Sequence, residues 1–200
     1  FLVELLRFAG EHPGELASVI EACQTPRERI AVRYGLEAFT EPVEILTRTP
    51  RTLEGAPTSV TLPHHARFVG SEVVERPWAY VVPDSLASFF RGHGLELSWL
   101  GKSRKALGEI ACVDAVARAG SRKILEATDL GELSIEAHLE AAALTLPMGT
   151  CFVRTDQPLG AIATYLCEAK SDDSLWVNAL LPEPKAGDEL RVFRVLEPLE

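Results

Sequence analysis

Residues 77–99 read PWAYVVPDSLASFFRGHGLELSW, with a helical pattern between two strand-like runs. The first run, residues 78–82, is apolar and rich in residues that favour strands. Pro83 then provides a helix start, and Gly94 a helix end. Residues 95–99 alternate between apolar and polar side chains, as in a second strand. Because about a dozen residues connect the two runs, the stretch predicts a β-α-β unit with a right-handed crossover.

On either side of this unit the chain adds helices and strands. Apolar residues at helical spacing predict two amphipathic helices in a segment at 1–26, followed by a domain at 27–200. Residues 30–62 lose any period and predict one or two strands joined by long loops. Residues 110–117 and 135–146 predict two long strands, and the second stretch alternates between apolar and polar side chains. We therefore expect an α+β fold: a mixed β-sheet with packed helices, preceded by the helical segment.

Charge, hydropathy and cysteine content limit the classes of partner. The formal net charge is −9, and the acidic residues are spread along the chain, so no basic stripe offers a surface to nucleic acid. No apolar stretch approaches the roughly 20 residues that span a bilayer, so we expect no membrane span. The four cysteines are far apart and leave open both the compartment and a disulfide such as Cys151 to Cys167.

The second half of the chain resembles a known family. Residues 146–176, LPMGTCFVRTDQPLGAIATYLCEAKSDDSLW, are similar to the C-terminal region of bacterial zinc carboxypeptidase-like metallopeptidases. Residues 76–83, RPWAYVVP, resemble the segment that precedes that region, and residues 1–23 resemble the helical stretch after the catalytic core. Residues 177–179 depart from the family, where an aromatic-rich end is usual.

The resemblance implies a parent enzyme that hydrolyses peptide or peptide-like amides with one zinc ion and a metal-activated water. The zinc ligands would lie upstream of Phe1, in the catalytic domain. For this chain the resemblance implies a non-catalytic C-terminal accessory module, with no cofactor of its own. Its partner would be its own upstream peptidase domain, in a bacterial protein whose compartment stays open.

One pair of residues has the spacing of metal ligands. His12 and Glu15 form H-x-x-E, with which zinc carboxypeptidases present two ligands. Pro13 and Glu15 also suit the first turn of a helix, which explains the same residues without a metal. A third ligand would have to come from another histidine: His64, His65, His93 or His138. The Asn-Arg pair that holds the substrate carboxylate in the family is missing, because alanine follows the single asparagine, Asn178. We therefore predict no metal ligand and no catalytic residue.

A nucleophile is not expected either. Cys151 or Ser174 would need His138 or His93 as a base, and no G-x-S-x-G elbow is present to support such a pair.

The segment at 155–158 is interpreted as architecture, with Asp156 or Gln157 capping a helix that begins at Pro158.

The alternative function is a binding module that recognises peptide or cell-wall substrate through exposed aromatic residues. Its binding surface would contain Trp78 and Trp176, if their rings lie exposed beside a groove.

Overall fold

The computed structural model describes residues 2–24, 27–49, 54–119 and 132–199. In these residues the helices are α1 (Leu2–Glu11), α2 (Pro13–Gln24), α3 (Ala87–Gly92, after a 3₁₀ turn at Asp84–Leu86) and α4 (Gly160–Cys167). The strands are β1 (Arg29–Ala38), β2 (Val43–Thr49), β3 (Ala56–Leu62), β4 (His65–Glu75), β5 (Ala79–Val81), β6 (Leu97–Trp99), β7 (Arg104–Ala119), β8 (Glu132–Leu146), β9 (Cys151–Arg154) and β10 (Glu189–Val195).

A six-stranded sheet in the order β6-β9-β5-β10-β7-β8 forms the centre of the molecule. Successive side chains of a strand point to opposite sides of the sheet, and at β5 both sides are covered. Tyr80 belongs to the larger core cluster, with residues of α3 and α4. Its neighbours Ala79 and Val81 belong to a second cluster, which includes Phe152 and Val195. The sheet is therefore buried on both sides at β5.

The α+β expectation is confirmed, since the described residues form helices and antiparallel sheets. The expected arrangement of residues 77–99 differs from the observed one. β5 and β6 do not pair with each other, because β9 lies between them and is antiparallel to both. The neighbouring pairs of the six-stranded sheet are all antiparallel in the described residues, so the expectation of a mixed sheet was wrong. Local sequence around β5 and β6 contains no signal for the later strand that separates them.

A long antiparallel ribbon of β1 and β4 extends the fold, and the β2–β3 hairpin is nested between these two strands in sequence. One or two strands joined by long loops were predicted for residues 30–62; the described residues of this range are mostly strand, in β1, β2 and β3. β2 and β3 are largely exposed on both faces, so they lack the alternation that marks a half-buried strand. The base of the ribbon is fixed to the body at Val32, which is fully buried and accepts a hydrogen bond from the Asp172 amide at 3.0 Å.

The two helices expected within residues 1–26 are present as α1 and α2. The hydrogen bonds that the described structure shows for residues 2–24 stay within those residues. None of the described helices is both long enough and apolar enough to cross a membrane.

Candidate functional site

His12 and Glu15 lie at the junction of α1 and α2. The His12 Nδ1 atom is 3.2 Å from the Glu15 Oε1 atom, and both side chains are exposed or half-buried. The His12 ring also packs against Phe8, and its carbonyl accepts the Leu16 amide in the first turn of α2. In the described residues, three or more potential metal donors converge only at Cys112, His138 and Glu140. The local helix start therefore accounts for the H-x-x-E pair.

The two tryptophans proposed as a binding surface belong to different core clusters. Trp176 is 5% exposed in the larger cluster, where one edge lines a cavity of about 600 Å³ with Pro83 and Leu181. Trp78 is half-buried against Phe152, with ring centroids 5.7 Å apart. Because the rings pack into separate clusters, they do not form one aromatic surface.

The nucleophile candidates are not placed for catalysis. Cys151 is buried, and burial, followed by the charge of Asp84, raises the pKa of its thiol to about 11. The hydroxyl oxygen of Ser174 accepts the Val177 amide at 3.3 Å. In the part of the chain that the structure describes, neither side chain is hydrogen-bonded to a histidine, and all four cysteines are free.

The segment at 155–158 serves the architecture, but not by capping a helix as expected. The Gln157 side-chain oxygen accepts the Glu96 amide at 2.8 Å, and its NH₂ group donates to the Glu96 and Arg154 carbonyls at 3.1 and 2.7 Å. Asp156 instead pairs with the Arg154 guanidinium. The expected cap was wrong because both side chains satisfy other groups, and α4 begins at Gly160 without a side-chain cap.

A buried network of charged groups was not foreseen from the sequence. The Tyr80 hydroxyl donates to Glu168 at 2.5 Å, and the Arg194 guanidinium pairs with the same carboxylate. The Arg194 Nε atom is 2.8 Å from the Glu109 carboxylate, although the N–H direction does not give a hydrogen bond. Arg194 also donates to the Glu75 carbonyl at 2.7 Å. The network joins β5, β7 and β10 to the end of α4, so we assign it a structural role.

The network changes the ionisation of its tyrosine. Burial, then the negative charge of Glu168, holds the pKa of Tyr80 well above its usual value. Tyr80 therefore remains a protonated donor to Glu168 at neutral pH.

Helix α1 carries an exposed apolar surface. No residue of α1 is buried, and five of its large apolar side chains are between 51% and 68% exposed: Leu2, Val3, Leu5, Leu6 and Phe8. The β2–β3 hairpin adds Leu46, which is 84% exposed, and the ribbon adds Phe68, which is 72% exposed. Single exposed apolar residues are ordinary, but several on one short helix indicate a contact surface.

A second polar feature lies on the β7–β8 hairpin. The His138 Nδ1 atom is 2.7 Å from the Asp114 carboxylate, and its Nε2 atom is 3.3 Å from Glu140. The hydrogen bond with Asp114, followed by that with Glu140, raises the pKa of His138. Cys112, directly opposite His138, has a raised thiol pKa because of partial desolvation and then the charge of Glu140. In the sequence, His138 was considered as a third ligand for His12 and Glu15 and as a base for Cys151 or Ser174, but not together with Cys112.

Comparison with known proteins adds no relative: family models, curated proteins and solved structures each give no match to this chain. The functional interpretation therefore depends on the geometry above and on the sequence patterns of residues 76–83 and 146–176.

Proposed function

We propose that this chain is a non-catalytic C-terminal accessory module of a bacterial zinc carboxypeptidase-like metallopeptidase, and that α1 and α2 dock it on the catalytic domain. The observation that carries the proposal is the exposure of α1, which has ten residues and buries none of them. The peptidase chemistry would belong to the docked domain, which would hold the zinc.

Helix stability supports a partner for this segment. Isolated helices shorter than about 12–15 residues are marginal in water, and most helices in proteins are stabilised by packing of an apolar face. α1 and α2 have 10 and 12 residues. Full burial of a Leu or Phe side chain contributes about 1.5–3 kcal/mol, so docking the apolar residues of α1 would supply the missing stabilisation.

The identity of the partner follows from the resemblance. Residues 146–176 and 76–83 resemble a region that accompanies a peptidase domain in zinc carboxypeptidase-like proteins. In this chain the same segments build the central sheet, through β5 and β9. Substrate recognition by Trp78 and Trp176 has less support, because Trp176 is buried.

The coding sequence upstream of Phe1 provides the first test. We expect an in-frame domain with an H-x-x-E pair, a third zinc ligand and a catalytic glutamate. An unrelated upstream domain, or none, would contradict the proposed function.

A binding experiment then tests the docking surface. The separately expressed catalytic domain is titrated with the chain by calorimetry, comparing wild type with a Leu5→Glu, Leu6→Glu double variant. Because each 1.4 kcal/mol corresponds to a factor of ten in affinity, we expect the double variant to bind at least about tenfold more weakly.

Arg7→Gln is the matched control, since Arg7 is exposed on the same helix and pairs only with Glu4 in the described structure. Equal binding by wild type and double variant would show that α1 is not the docking element.

A further inference from the structure

The β7–β8 hairpin brings a thiol, an imidazole and carboxylates together. Cys112 and His138 are direct cross-strand partners, so their side chains leave the same face of the sheet. Glu140 follows His138 by two residues and therefore shares that face. One donor atom from each of Cys112, His138 and Glu140 lies within 4.8 Å of the other two.

This donor set has a chemical preference. Calcium and magnesium take oxygen ligands, whereas a thiolate combined with an imidazole suits zinc. Zinc bonds of about 2.0–2.3 Å place the donor atoms of a tetrahedral site about 3.3–3.8 Å apart. The donor atoms lie within 4.8 Å of one another, and binding would require them to approach to that value; the Glu140 side chain, which is 64% exposed, has the room to rotate.

A neighbouring carboxylate orients the imidazole. Asp114 lies at a β-bulge, where the register with β8 shifts between Val113 and Ala115. Bulges redirect side chains, and the Asp114 Oδ1 atom is 2.7 Å from the His138 Nδ1 atom. Histidine ligands usually donate their second ring nitrogen to such a carboxylate, which fixes the tautomer. The Nε2 atom of His138, on the side of Glu140, is then available to a metal.

We propose that Cys112, His138 and Glu140 bind one zinc ion, with water as the fourth ligand and Asp114 as the residue that positions His138. Glu189 pairs with Cys112 from β10 and adds negative charge beside the site. The proposed zinc site lies on the central sheet and is independent of the docking function assigned to α1.

Zinc titration of the chelator-washed full chain by calorimetry tests the proposal. We expect one saturable site per chain, with affinity reduced at least about tenfold by Cys112→Ser, His138→Gln or Glu140→Gln. Asp114→Asn should weaken binding about 10- to 100-fold while leaving the ligands in place.

Cobalt serves as a spectroscopic probe of the ligands. A near-ultraviolet thiolate-to-cobalt band should appear with the wild type, remain in Asp114→Asn at higher metal concentration, and disappear in Cys112→Ser. Circular dichroism confirms that each variant is folded, as expected for replacements at an exposed or half-buried surface.

Two controls separate this site from other donors. Cys23→Ser removes the exposed thiol of α2, and His12→Gln removes the H-x-x-E pair. Both should bind zinc like the wild type. The proposal is overturned if the wild type shows no saturable zinc binding, if Cys112→Ser retains it, or if His12→Gln abolishes it.

Discussion

At the scale of single residues, Tyr80 links the buried charges to the sheet. Its hydroxyl donates to Glu168, which also pairs with Arg194. Arg194 and Tyr80 are cross-strand partners, so β5 and β10 are joined through their side chains as well as their backbones. A buried ion pair is costly unless its remaining hydrogen-bonding groups are satisfied, and the Tyr80 hydroxyl satisfies one of them.

Tyr80→Phe should therefore destabilise the chain by about 1.5–3 kcal/mol at pH 8, the range for a hydrogen bond to a charged group. The native pKa of Tyr80 is raised, so its protonated form stabilises the fold below the unfolded pKa of about 10. That contribution is lost as pH rises above about 10, because the unfolded state then releases the proton first. Urea unfolding at pH 8 and in the alkaline range should show a steeper loss of stability for wild type than for the variant. Equal slopes would contradict the assignment.

At the scale of secondary structure, the Gln157 side chain forms hydrogen bonds of the kind that the backbone of a neighbouring strand would form. Its side-chain amide exchanges two hydrogen bonds with the backbone of Glu96, immediately before β6. β6 has three residues and pairs only with β9 in the described sheet. Gln157 thus extends the pairing of a short edge strand.

Gln157→Leu should lower the free energy of unfolding by about 1–2 kcal/mol, since net hydrogen-bond contributions are about 0.5–1.5 kcal/mol each and water reaches this edge. Amide exchange at Glu96 should become faster, as measured by hydrogen exchange and NMR. Asp156→Asn is the control, because the exposed Asp156–Arg154 pair is expected to contribute only about 0.2–1 kcal/mol and should leave Glu96 exchange unchanged. Unchanged exchange in Gln157→Leu would refute this role.

The sequence predicted those elements whose burial alternates along the chain. β8 was recognisable because apolar residues alternate from Ile135, β7 because residues 110–117 are mostly apolar, and Gly94 follows the described end of α3 closely. Only one or two strands were predicted within residues 30–62, because the outer part of β1 and the strands β2 and β3 are largely exposed and have no buried face to impose a period. The Cys112–His138 cluster was missed because cross-strand register, not local spacing, brings its members together.

At the scale of the whole molecule, the core is confined to the sheet and the elements packed on it. Both core clusters draw their described residues from position 78 onward. The ribbon reaches the body through Val32 and the ion pair of Arg33 with Glu136. Residues 2–24 add no buried residue from α1 and no described hydrogen bond to the sheet. Stability and docking are therefore expected to be separable.

Deletion of residues 1–24 tests this separation. Because the deleted helices contribute little to the core, we expect the thermal midpoint of the remaining chain to stay within a few degrees, equivalent to less than about 1 kcal/mol for a chain of this size. Circular dichroism should show reduced helical signal, and binding of the catalytic domain should be lost. Leu166→Ala is the positive control, since Leu166 is buried on α4 and its truncation should cost about 2–5 kcal/mol. A deletion variant as unstable as Leu166→Ala would show that the N-terminal helices belong to the core, and the division at residue 26 would be wrong.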